Sequence, residues 1–223
     1  MLDISAIPIL RNLSNEQVVK LQDKAIQRTY PKNSFVFEEG KLTNGVYFII
    51  SGYIKIIRLH KDGREKTLAI LKKGDILGEM TLFQYELRTA TAVALVQSTV
   101  ITIKKSDFLI LLHDIPQLSI ELMSILSERL TDTNRQVQDL MFLNARGKVI
   151  SNLIQMAKIY GRTQKDVTEI SLKLTHEEFS KLVGITRENV TKTLNELQDL
   201  KIIEVVRRQI RILDLKKLNT EIL

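Results

Sequence analysis

The chain reads as an α+β protein with its β structure first and a helix-turn-helix last. Three observations carry that reading. From Pro31 to about Ile103, short β-prone runs are punctuated by glycine. From Ser106 to about Leu143, glycine disappears and apolar residues move to helical spacing. From Thr175 onward, a helix start, a glycine turn and a second amphipathic stretch precede a short β alternation.

In the first region "VYFII", "GYIKIIRL", "KTLAIL" and "TAVALVQSTVITI" are separated by Asn44-Gly45, Ser51-Gly52, Asp62-Gly63 and Lys73-Gly74-Asp75, all turn chemistry. Asp62-Gly63 between two alternating runs is the strongest hairpin signal. Short strands at this regular spacing predict an all-β barrel, roll or sandwich.

The second region predicts one long helix. Leu122, Leu126, Leu130, Thr133, Val137, Leu140 and Asn144 follow one another at steps of three and four, close to a coiled-coil seam. A stripe this narrow suits a contact between two copies of the chain better than a core helix, whose apolar face is wider. The pattern restarts at "NARGKVI", which places a hinge near Asn144 to Gly147. Helix continues to about Tyr160, and "GRTQKD" reads as a polar loop.

Thr175-His176-Glu177-Glu178 is a capping box, in which the Thr hydroxyl and the Glu carboxylate satisfy the orphan N–H groups at a helix start. Phe179, Leu182 and Val183 give that helix its inner face, and Gly184 ends it. "GITRENVTKTLNEL" then supplies a buried Ile185, Thr186 as N-cap and a second helix whose inner stripe is Val190, Leu194 and Leu197. "KIIEVVRRQIRIL" alternates on both sides of Arg207-Arg208, as a small hairpin or wing does.

The outer stripe of the second helix is Arg187, Glu188, Thr191, Lys192 and Asn195. In a helix-turn-helix this end of the second helix enters the major groove of double-stranded DNA. Arg and Lys suit guanine O6 and N7, and Glu accepts from cytosine N4. Simple solvation explains such a face less well once the wing and the dimer helix flank it.

Composition agrees. The 223 residues carry a formal charge of +7. From Arg146 onward 15 Lys and Arg face 10 Asp and Glu, so the last third holds most of the basic excess, as a polyanion partner requires. Cysteine is absent, which excludes disulfides, thiolate nucleophiles and cysteine-ligated zinc or iron–sulfur centres. His60, His113 and His176 are too scattered for a metal, and no catalytic constellation stands out, so an enzyme is not expected. No apolar run reaches membrane-spanning length and the N-terminus lacks the basic start of a signal peptide, so the expected location is the cytoplasm, with no membrane contact.

Over nearly its whole length the chain resembles the Crp–Fnr family of bacterial transcription regulators. The resemblance rests on the turns at Gly40, Gly52 and Gly74, on "GEMTLF" with "RTATA", on the long helix leading to "FLNARGKVI", and on "GITRENVTKTL". It implies a β-roll sensor of the cyclic-nucleotide-binding, jelly-roll type with a short N-terminal helix over residues 1–110, a dimerisation helix and hinge over 111–144, and a winged helix-turn-helix over 145–223. It also implies a homodimer acting as an activator or repressor. Arg187, Glu188 and Lys192 fall where the family carries base-reading residues, Lys192 standing where the cyclic-AMP receptor type usually has Arg, a departure that bears on half-site preference. Thr175, Thr186, Thr191, Arg207 and Arg208 complete the expected DNA contacts. Residues 161–167 correspond to a loop that in the family touches RNA polymerase.

"GDILGEMTLFQYELRTATA" looks like the phosphate cassette of cyclic-nucleotide domains. Glu79 can accept a ribose hydroxyl, Arg88 can grip the phosphodiester, and Gly78, Met80 and Thr89 complete the cradle beside backbone N–H groups. Thr133 and Asn134 stand where the family meets the base across the dimer. Cyclic AMP is the expected effector and no cofactor is required. Two other readings stay open: Glu79 and Arg88 pair with each other in a ligand-independent or differently triggered regulator, or Glu79 is the base of a nucleotide-processing enzyme. A regulatory subunit that docks a protein through its helix-turn-helix is a further class.

Overall fold

The computed structural model describes residues 7–10, 13–83 and 86–222. The chain divides into two compact units, Met1–Arg129 and Leu130–Leu223.

In the first unit a 3-10 turn at Pro8–Leu10 precedes α1 (Asn15–Gln22), which is opened by a Ser14–Gln17 capping box. Eight strands follow: β1 (Ala25–Tyr30), β2 (Phe35–Phe37), β3 (Gly45–Ser51), β4 (Tyr53–Leu59), β5 (Glu65–Lys72), β6 (Ile76–Leu77), β7 (Thr91–Ala94) and β8 (Ser98–Lys104). They form two antiparallel four-stranded sheets, ordered β1-β8-β3-β6 and β2-β7-β4-β5. The run "TAVALVQSTVITI" is thus two strands, one in each sheet. Alternation explains how the two faces of β3 are used. Tyr47 and Ile49 pack with Ile54 and Ala92 of the opposite sheet, while Val46 and Phe48 pack with Phe108 and Leu111 of the helix that follows β8.

The β4–β5 hairpin turns at Asp62-Gly63 as expected, with Gly63 at φ +88°. Asn44-Gly45 is not a turn. Gly45 opens β3, and a Cβ there would lie 2.1 Å from the Ile103 carbonyl oxygen, so glycine permits the close strand pairing.

The helical texture from Ser106 resolves into two helices, α2 (Lys105–Asp114) and α3 (Pro116–Phe142), bent by 112° at Ile115. Pro116 restricts Ile115 and suits the first position of a new helix. The seam divides as well. Leu122 is buried in the core of the first unit and Leu126 packs against that core, whereas Leu130 is 62% and Val137 48% exposed.

The second unit takes the remainder of α3, then α4 (Ala145–Tyr160), whose N-cap Asn144 accepts from Gly147 N at 2.8 Å. Arg135 ties the α3–α4 junction together by pairing with Asp132 and Asp139 and reaching Ser151. Residues 161–166 are not a loop. They belong to a hairpin of β9 (Gly161–Gln164) and β10 (Val167–Ile170), turned by Lys165 and Asp166 at positive φ. Then come α5 (His176–Val183), α6 (Arg187–Asp199), β11 (Ile203–Val206), β12 (Gln209–Ile212) and α7 (Leu215–Thr220). The sheet order is β11-β12-β10-β9, so the expected wing hairpin is half of a four-stranded sheet. Gly184 at φ +86° makes the turn between α5 and α6.

Candidate nucleic-acid interface and ligand site

The α5–α6 pair is built as its residues require. Thr175 Oγ1 accepts from Glu178 N at 3.1 Å and Thr175 N donates to Glu178 Oε2 at 2.7 Å. Thr186 caps α6, accepting from Asn189 N. Val190, Leu194 and Leu197 are buried and Ile185 is half-buried. This packing leaves Arg187, Glu188, Lys192 and Asn195 exposed on the other side. The Glu188 carboxyl is held below the usual carboxylate range, first by its own backbone N–H and then by the Thr186 hydroxyl.

Thr191 is less free than its neighbours. Its hydroxyl donates to the Arg187 carbonyl oxygen at 2.9 Å and meets His176 Nδ1 at 2.8 Å. One hydroxyl has one proton, so His176 Nδ1 carries the hydrogen of that second contact. His176 therefore links the start of α5 to the exposed turn of α6, a role that sequence reasoning missed because the partner lies fifteen residues away.

Arg207 and Arg208 form the two-residue turn between β11 and β12, at φ +48° and +67°. This is the conformation that Asn-Gly adopts without strain and that two arginines adopt at a cost. Both side chains are exposed.

In the first unit Gly78, at φ +83°, leads into a single 3-10 turn over Glu79–Thr81. Glu79 and Arg88 are each only 2% exposed. They do not pair with each other. Glu79 binds Arg129 of α3, which also reaches the Ile76 carbonyl oxygen. Arg88 donates through Nη1 to Gly78 O at 3.1 Å and Thr81 Oγ1 at 3.2 Å, and through Nη2 to Asn44 Oδ1 at 3.0 Å and Gly45 O at 2.7 Å. Its guanidinium lies 4.2 Å over the Phe37 ring. Arg88 Nε has no partner among the described residues. Burial pulls the Arg88 pKa downward, while Tyr47 and Glu79 oppose that shift. The positive φ of Gly78 strains any other residue there, and a Cβ would stand 2.5 Å from Arg88 Nη1 and displace the guanidinium.

Met80 and Thr89 are exposed beside this cluster. Thr133 and Asn134 lie exposed on α3 in the other unit. Asn44 and Arg129 were not singled out from the sequence. Each is distant along the chain from the residue it serves.

A cyclic nucleotide-binding domain model matches residues 27–114, and a Crp-like helix-turn-helix domain model matches residues 147–221. The chain is 34% identical over 165 residues to the CRP-like cAMP-activated global transcriptional regulator of Mycobacterium tuberculosis, covering 74% of each protein. The chain belongs to the Crp–Fnr family. Among solved structures, the c-di-GMP-responsive global regulator CLP of Xanthomonas campestris is 25% identical with a TM-score of 0.76, over 89% of this chain and 99% of that one. A CooA mutant of Carboxydothermus hydrogenoformans shares the fold, with a TM-score of 0.81 at 24% identity over 99% and 96%. As a Crp–Fnr protein the chain is a DNA-binding transcription regulator with a cyclic nucleotide-binding domain. Among the described residues no single helix is long and apolar enough to cross a membrane.

Proposed function

We propose that this Crp–Fnr regulator acts as a cytoplasmic homodimer that reads DNA through α6 and is switched by a cyclic nucleotide, cyclic AMP first, held in its β-roll. The functional division is a sensor over residues 1–110, a dimer helix and hinge over 111–144 and a DNA-binding domain over 145–223. The observation that carries the DNA reading is the free end of α6, where Arg187, Glu188 and Lys192 are exposed above a buried apolar stripe. Arg187 and Lys192 serve guanine, Glu188 cytosine, and Thr191 offers its methyl group to thymine. Thr175, Thr186, Arg207 and Arg208 hold phosphates. The exposed stripe through Leu130, Val137 and Leu140 supports the dimer, which sets two half-sites roughly 34 Å apart. RNA polymerase is the partner proposed for the β9–β10 hairpin.

The roll fits a nucleotide through its donors. A phosphate is a stronger acceptor than the neutral oxygens that now bind Arg88, and the unpartnered Nε is a further donor. Gly78, Glu79, Met80, Arg88 and Thr89 would hold the ribose phosphate, with Thr133 and Asn134 of the second copy in the dimer meeting the base. The M. tuberculosis relative, described as cAMP-activated, supports this choice. A second reading, a differently triggered regulator, draws on the Glu79–Arg129 pair and the four protein acceptors of Arg88.

Selecting bound sites from random DNA with and without cyclic AMP tests the proposal. A two-fold-symmetric site enriched only with the nucleotide supports it. Equal enrichment without it favours the second reading, and no enrichment at all would remove the DNA assignment.

A further inference from the structure

The second unit contains a cavity of about 420 Å³ between α4, α5, α6 and the β11–β12 hairpin, which lies in the size range of small-molecule sites. Its floor is apolar, formed by Met156, Leu172, Phe179, Leu194 and Ile210. Its rim is cationic. Arg187 and Arg208 border it from two different elements, and among the described residues no hydrogen bond or ion pair engages either guanidinium. The other polar groups at the rim are occupied: Thr175 Oγ1 by Glu178 N, His176 by Thr191, and Glu177 by Lys181 at 3.1 Å.

We propose that this cavity binds a small amphiphilic monoanion, an apolar chain or ring system ending in a carboxylate. The apolar part replaces water against the floor, which is favourable in proportion to the area covered. The carboxylate bridges the two arginine forks, for which a planar two-oxygen anion is the natural partner. Glu177 on the same rim disfavours a second negative charge on the ligand. A thymine methyl group or a bare phosphate fits less well, because neither fills an apolar floor and satisfies two guanidinium groups together.

The same two arginines are those proposed above to meet DNA. An occupied cavity would therefore neutralise them and oppose DNA binding, and this second clause rests on the groove reading while the binding itself does not. By reciprocity DNA would expel the ligand by the same factor.

Calorimetric titration of the full chain with sodium decanoate, kept below its micelle-forming concentration, tests the site. The expected result is saturable binding at one molecule per chain. Octanoate should bind about fifteenfold more weakly, since two methylene groups at about 0.8 kcal/mol each are removed from the floor. The surface variants Arg187→Ala and Arg208→Ala should each weaken decanoate at least fivefold with unchanged thermal stability. Unsaturable heats, or affinity indifferent to chain length or to both arginines, would overturn the site. Decanoate binding as expected while DNA affinity stays unchanged would uphold the cavity and overturn only the antagonism.

Discussion

The arginines proposed to meet phosphate-bearing partners, Arg88 in the first unit and Arg187, Arg207 and Arg208 in the second, are held in different ways. Arg88 is buried, stacked on Phe37 and bonded to four protein acceptors. The other three are exposed, and two are held in a backbone conformation that non-glycine residues avoid. A buried guanidinium without acceptors costs far more than it returns, so a clamp that waits inside a protein must be satisfied while it waits. An exposed one is satisfied by water and can stay uncommitted. The contrast implies that a sensor ligand must displace existing bonds, whereas DNA has only water and counterions to displace.

The largest effect expected is on assembly. Replacing Leu130 and Val137 together by Asp puts four charges into the stripe of a dimer. It should give monomers by sedimentation that lose specific DNA binding. A variant that sediments as a dimer would move the interface elsewhere on the chain.

Next comes the sensor. Arg88→Leu removes the donor for the Gly45 and Gly78 carbonyls and for Asn44, and should cost about 1–3 kcal/mol in thermal or denaturant unfolding as well as abolishing cyclic AMP binding. Asn44→Ala should act in the opposite direction on the ligand. Removing one competing acceptor, worth about 0.5–1.5 kcal/mol, should tighten cyclic AMP binding about two- to tenfold.

The exposed arginines come last. Arg187→Ala should cost about 1–3 kcal/mol on the preferred site and relax preference at one base pair, as read in competition assays with single-base variants. Replacing Arg207-Arg208 by Asn-Gly should separate stability from binding. The turn loses its strain and the fold gains roughly 1 kcal/mol, while the salt slope of DNA binding falls by about two units. A variant that loses stability, or keeps its salt slope, would mean that the wing arginines serve the fold.

These two regions were not equally legible in the sequence. The wing turn could be read because the β alternation flanks Arg207-Arg208 at short range, and the α5–α6 pair because capping boxes and glycine turns are local signals. From sequence the β9–β10 hairpin reads as a loop because Lys165-Asp166 lacks the Asn-Gly signature, although Asp tolerates positive φ. The break at Ile115 follows from Pro116, whose place at the start of a new helix outweighed a continuous apolar periodicity. In the roll, Glu79 and Arg88 were recognisable by type and spacing, but their partners were not. Asn44 and Arg129 lie 44 and 50 residues away from the groups they bind, and only the closed fold brings them there. Spacing picks out the two charged groups that the fold buries, not the partners it gives them.

Calorimetry of cyclic AMP binding to the full chain, repeated with saturating operator DNA, tests the stored clamp most directly. The account predicts a saturable heat that Arg88→Leu abolishes, and a nucleotide affinity raised by DNA by the same factor by which the nucleotide raises DNA affinity. A protein that binds its operator tightly yet gives no heat with cyclic AMP or cyclic GMP would contradict it, leaving Arg88 as a fixed strut of the roll.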